Sequence, residues 1–150
     1  LLPEQIQGYG LGVMAARAAY YAEKEGVDFS QGRAYGPHGA GLVIANAPGE
    51  GYDDALSRRL TALARDGNLQ VRALGYKPYI APGPPSACAG VLQTLRGPGH
   101  LGSVPIKGIY FGCKSRFSPL GLELFAEDLH PLLLERLKAC YKALQEETPL

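Results

Sequence analysis

The chain has little net charge, few cysteines and no long apolar run, and each shortage closes off a class of function. Fifteen Lys and Arg against fourteen Asp and Glu leave a formal charge of +1, whereas a domain dedicated to duplex nucleic acid carries a basic face that neutralises phosphates. A small anionic ligand, which needs only a few local cations, stays open. The three cysteines, Cys88, Cys113 and Cys140, are odd in number and show no C-x-x-C spacing. Neither a disulfide framework nor a zinc site is expected, no metal or cofactor is called for, and a reducing, cytoplasmic setting fits. No stretch approaches the ~18 apolar residues of a membrane span, and Leu1 to Gln7 has neither the basic start nor the apolar centre of a signal peptide. Because the sequence opens on Leu1 rather than Met, we expect one domain cut from a longer, multidomain or membrane-anchored protein.

What is present is an ordinary globular composition. At 150 residues, 46% apolar and 19% charged, the chain is long enough for one substantial core. A first helix is predicted over Gly10 to Lys24, "GLGVMAARAAYYAEK", stopped by Gly26 and narrow because of its Gly and Ala content. Its G-x-G follows no strand, so it does not read as a dinucleotide fingerprint. Asp28 to Ala40 reads as loop with His38 in the middle. Leu42 to Ala45, "LVIA", reads as a strand covered on both faces, turned by Asn46 to Gly51. Asp53 and Asp54 favour a helix start, Leu56, Leu60 and Leu63 give it an inward stripe, and Gly67 is the expected stop.

Leu69 to Leu74, "LQVRAL", alternates and is predicted as a strand with Gln70 and Arg72 on one face. The stretch "YIAPGPPSACAGVLQTL" then turns a strand end through Pro82, Gly83, Pro84 and Pro85 into a helix capped by Ser86. A loop is expected from Arg96 to Pro105 and a strand from Ile106 to Phe111. Helical spacing marks the last third, from Leu122 and Phe125 through Leu137 to Leu144, with Pro131 either kinking the helix or opening a second one. Alternating helices and short apolar strands give the expected class: a single layered α/β domain with a short, mainly parallel sheet flanked by helices and a long C-terminal amphipathic helix.

Three clusters carry possible chemistry. Arg17 with Tyr20 and Tyr21 offers a stacking platform beside a cation. Arg72, Tyr76 and Lys77 put two cations and an aromatic within six residues, and Ser86 opens a helix whose free N–H groups favour an anion. Taken singly, each has a plainer explanation in packing or solvation. An alternative function is a small α/β enzyme with Cys88, in the first turn of its helix, as nucleophile and His38, His100 or His130 as its base. The three histidines lack ligand spacing, and Asp53/Asp54 and Glu146/Glu147 read as helix-end charges.

The order of features resembles the ligand-binding domain of STING proteins, on "GYGLGVMAARAAYY", "LVIANAP" and "YIAPGPPSACAGVLQTL". That resemblance implies a non-enzymatic nucleotide-binding sensor of innate immunity and antiviral defence, which takes a cyclic dinucleotide in the cleft of a homodimer. It would set Tyr20 or Tyr21 against a base, Arg72 over the ligand and Ser86 near a ribose or phosphate. Gly83, where bacterial members carry an acidic residue, and the extra strand in "IKGIYFGCKSRF" depart from the pattern.

Overall fold

The computed structural model describes residues 1–76, 83–97 and 99–147, with side chains left undescribed at 83–86. After a single 3-10 turn at Pro3–Gln5 comes α1 (Leu11–Lys24), which buries Leu11, Met14, Ala18 and Ala22 along one stripe. Gly26 closes it at φ 70°, with Gly26 N–H donating to Glu23 O at 3.0 Å and Val27 N–H to Ala22 O at 2.9 Å. This is the left-handed stop the sequence signalled.

The centre of the molecule is a short antiparallel hairpin. Strands β1 (Arg33–Tyr35) and β2 (Val43–Ala45) pair as Arg33 with Ala45, Ala34 with Ile44 and Tyr35 with Val43. Successive side chains leave opposite faces, so Ala34 and Ile44 enter one core while Tyr35, Val43 and Ala45 enter another. In the first core they meet Leu11, Met14 and Ala18 of α1 and Leu60 and Ala64 of the next helix, α2 (Asp54–Ala73). Asp53 caps α2 by accepting from Leu56 N–H at 2.9 Å.

α2 runs straight through Gly67 and through the predicted strand Leu69 to Leu74. A Cβ on Gly67 would lie 3.3 Å from the Tyr21 hydroxyl and 3.4 Å from Arg17 Cδ. Glycine is there for a close crossing of α1, and its usual stop signal is overridden. The alternation of "LQVRAL" marks no sheet face either, since Leu69, Val71 and Leu74 are all exposed.

Helix α3 (Gly83–Arg96) begins at Gly83, three residues before the expected cap Ser86, with Pro84 and Pro85 in its first turn where they displace no hydrogen bond. The expected loop at Arg96 to Pro105 is mostly strand. β3 (His100–Ile106), β4 (Ile109–Ser118) and β5 (Gly121–Leu124) form an antiparallel meander, and Lys107 (φ 47°) and Gly108 (φ 85°) make the two-residue turn between the first pair. Leu122, read as helical, lies in β5. Pro131 opens α4 (Pro131–Glu147), so the C-terminal helix is shorter than the spacing suggested.

The second core joins the hairpin's other face to Phe111 of β4 and to Leu133 and Leu137 of α4. Arg136 fastens α4 to the start of α2, donating to Ser57 Oγ at 2.6 Å and Tyr52 OH at 2.7 Å. The hairpin touches β4 through Gly36 N–H and Gly112 O at 3.0 Å. A Cβ on Gly112 would strike Leu11 Cδ1 and Gly36 O, so this strand position has room for glycine alone.

The fold is therefore a mixed α/β domain, but among the described residues its sheets are one of two strands and one of three, and both are antiparallel. The mainly parallel sheet expected from the sequence is not what forms. Paired strands follow one another directly, through residues 36–42 between β1 and β2 and through two residues at each link of the meander, without the crossover helices that parallel pairing requires. Among the described residues no helix is long and apolar enough to cross a membrane.

Candidate functional site

The residues singled out from the sequence fall into separate places. Arg17 and Tyr21 lie together between α1 and α2: Arg17 Nη1 donates to Ala64 O at 3.2 Å and the Tyr21 hydroxyl donates to Gln70 Oε1 at 3.0 Å. Tyr20 is half exposed, edge-on to Tyr21 with ring centres 5.3 Å apart, and its own face carries Lys24 Nζ at 4.7 Å. Arg72 and Tyr76 are exposed near the C-terminal end of α2, and among the described residues no interaction joins them to Arg17, Tyr20 or Tyr21. Lys77 lies outside the described residues. Ser86 is inside α3, and its side chain also lies outside the description.

Cys88 is exposed in the second turn of α3 rather than in its first. The dipole argument for a nucleophile there loses its geometry, since that effect is confined to the first turn. Among the described residues no group of three or more metal-binding side chains gathers, and His38, His100 and His130 stand apart.

Two features invite chemistry. One is the tip of the central hairpin, where Gly36 to Leu42 carries His38. Its Cβ and Cγ lie 3.6 Å from where a Cβ on Gly10 would sit, so the ring leans on the helix-start residue Gly10 at one edge and faces solvent at the other. That partial burial, and after it the charge of Arg17, holds the imidazole below its ordinary pKa. A neutral, solvent-exposed imidazole can take a proton from a hydroxyl, and Arg17, whose charge reaches the ring, can attract a carboxylate.

The other feature is the opposite end of the same hairpin. Arg33 Nε meets Glu127 Oε1 at 2.5 Å and the Tyr35 hydroxyl donates to Glu127 Oε2 at 2.6 Å, at the wall of a cleft of about 850 Å³. Burial, and then this hydrogen bond to Glu127, drives the Tyr35 phenol well above its usual range. Sequence reasoning could not find this trio, because 92 to 94 residues separate its members. For His38 the signal was present, an imidazole between glycines and a proline in "GPHGAG", yet it was weighed only as a base for Cys88 or a metal ligand.

Fold and site together define a mixed α/β domain that presents an imidazole from a hairpin tip and has no parallel nucleotide-binding sheet among its described residues. No family model matches the chain, and no curated protein matches it in sequence. Among solved structures it is similar to malate dehydrogenase from Archaeoglobus fulgidus in complex with NADH, with TM-score 0.74 and 18% identity over 97% of this chain and 52% of that one. It is also similar to malate dehydrogenase from Plasmodium falciparum, with TM-score 0.68 and 15% identity over 99% and 55% of the two chains. L-lactate dehydrogenase from Clostridium thermocellum gives TM-score 0.69 and 17% identity over 97% and 56%. At these identities the likeness is one of fold, and the chain spans about half the length of these structures.

These neighbours overturn the STING-type resemblance. The sensor function, the cyclic-dinucleotide partner and the role in innate immunity and antiviral defence fall with it. The quoted motifs were short turn signals, proline after an apolar run and a small residue before a helix, which any α/β chain can share.

Proposed function

We propose that this chain is the substrate-facing half of a dehydrogenase-like protein acting on a small 2-hydroxy or 2-oxo carboxylic acid, with the nucleotide held by a part outside it. The observation that carries this reading is the match over 97% of the chain to 52% of an NADH-bound malate dehydrogenase, together with described sheets that are all antiparallel, whereas dinucleotides bind at parallel, doubly wound sheets. Malate and lactate are both 2-hydroxy acids. Removing hydride from such a carbon also requires that the hydroxyl proton go to a base. His38 is our candidate for that proton and Arg17 for the carboxylate. The exposed edge of the imidazole would then be covered by the missing half. The single-domain reading, the origin in a longer protein and a reducing compartment stay part of this proposal, the last supported by three cysteines outside any disulfide.

Proton NMR of the His38 ring tests the assignment, with L-malate and L-lactate titrated against succinate, which lacks the 2-hydroxyl. Saturable shifts with the hydroxy acids, weakened about tenfold in Arg17→Ala, are expected; a ~1.4 kcal/mol contribution suits a charge-assisted contact. A His38 resonance that ignores both hydroxy acids would refute the proposed role.

A further inference from the structure

The cleft at the far end of the hairpin has two chambers, and nothing in the proton chemistry above uses either. Its mouth, about 850 Å³, is shaped by three segments: Asp28 to Arg33 after α1, Asn46 to Gly51 after β2, and Phe125 to Asp128 before α4. Hydrogen bonds fix these walls. Asn46 Nδ2 donates to Gly51 O at 2.8 Å, Asp53 N–H donates to Asn46 Oδ1 at 3.0 Å, and His130 N–H donates to Pro48 O at 2.8 Å. Behind the mouth lies a recess of about 210 Å³ lined chiefly by Tyr35, Phe111, Cys113, Leu129 and Leu137. Phe125 and Glu127 border both spaces, so the recess adjoins the mouth across these two side chains.

The dimensions and charges select a ligand class. An apolar cavity of about 150 Å³ already accepts benzene, so the recess has room for a phenyl-sized group, which the surrounding rings and leucines would remove from water. In the mouth Arg33 and Glu127 neutralise each other at 2.5 Å, which leaves Asp28, Glu50 and Asp128 without a cation among the lining residues. Asp28 is kept ionised by the backbone N–H and then the hydroxyl of Ser30, which hold its carboxyl below the usual range. The one lysine of the recess, Lys114, places Nζ 4.6 Å from the Phe125 ring centre, where it braces that ring. We propose that this composite cleft is a second ligand site, which takes a small molecule with a phenyl-sized apolar body and a cationic amine head: the body in the recess, the head among Asp28, Glu50 and Asp128.

Phenethylamine is the direct probe, read by amide chemical-shift mapping and calorimetry on the whole chain. Phenylacetate supplies the same body with the opposite charge, and spermidine supplies charge without the body. Saturable phenethylamine binding that moves the amides of Tyr35, Cys113 and Leu129, with phenylacetate at least about tenfold weaker, is expected. The double variant Glu50→Gln with Asp128→Asn, both exposed and so harmless to folding, should weaken phenethylamine about tenfold and leave the His38 resonance in place. Equal binding of phenylacetate, spermidine binding as tightly as phenethylamine, shifts mapping elsewhere, or no saturable amine binding would each overturn the proposal. None of these outcomes bears on whether His38 responds to hydroxy acids.

Discussion

His100 should make the protein weaken as pH falls below neutrality, by an amount that the titration of a single group bounds. The residue is 2% exposed at the start of β3. Its Nδ1 is 3.0 Å from Thr94 Oγ1 on α3, its ring stacks on Tyr9 at 4.9 Å, and in the β-ladder it faces Ser115. Thr94 gives its one proton to Gly90 O at 2.9 Å, so the imidazole donates from Nδ1 and Nε2 is left buried without a partner among the described residues. No carboxylate contributes, and burial alone depresses the pKa. The unfolded chain therefore accepts a proton near pH 6.5 that the folded chain refuses until lower pH, and stability is lost as pH falls through that window. For one histidine the loss is at most about 1.4 kcal/mol at one pH unit below 6.5. Urea denaturation at pH 7.5, 6.5 and 5.5, comparing the parent with His100→Gln, isolates the effect because the carboxylates and His38 are common to both. The parent should lose stability relative to the variant as pH drops. Parallel curves, or a His100 resonance titrating at its ordinary value, would refute the reasoning.

Two further outcomes follow from packing. Gly112→Ala should cost roughly 3 kcal/mol or more in chemical denaturation, since the added methyl collides with Leu11 and the Gly36 backbone, neither of which can swing aside; a cost under about 1 kcal/mol would show that the hairpin and β4 are farther apart than described. Cys113, whose thiol is pushed up to about 11 by burial and then by Glu127, should react with iodoacetamide at pH 8 at least about tenfold more slowly than the exposed Cys88, read by peptide mass spectrometry. Comparable rates would contradict the burial.

The parts legible in the sequence were those set by local chemistry. α1 was readable within one residue because its stop, Gly26, takes the left-handed conformation only glycine enters freely. The apolar strand around Val43 to Ala45 was readable because both its faces are indeed buried. The failures came where a distant contact redefined a local signal. Gly67 looked like a stop, but Tyr21 and Arg17, some fifty residues away, need it small. Gly99 and Gly102 looked like loop, yet Gly102 sits in β3 paired with Cys113, and it is glycine there because His100 Nε2 would lie 2.6 Å from any Cβ. Strand direction was inferred from element order alone, whereas the two-residue turn at Lys107 and Gly108 was a visible cue for an antiparallel pair. As for the site, no sequence spacing brings Arg33 and Tyr35 to Glu127, and the histidine that leans on Gly10 was in plain view without a partner to recommend it.

The bridge between Gly8 and Ser103 has one more effect. Gly8 N–H donates to Ser103 O at 2.9 Å and Ser103 N–H donates to Gly8 O at 2.8 Å, along the side of β3 that β4 leaves bare. An unguarded strand border is a template on which another chain can stack. By lying across it, the leading segment covers that border, and removing residues 1–9 should lower the concentration at which the protein begins to precipitate.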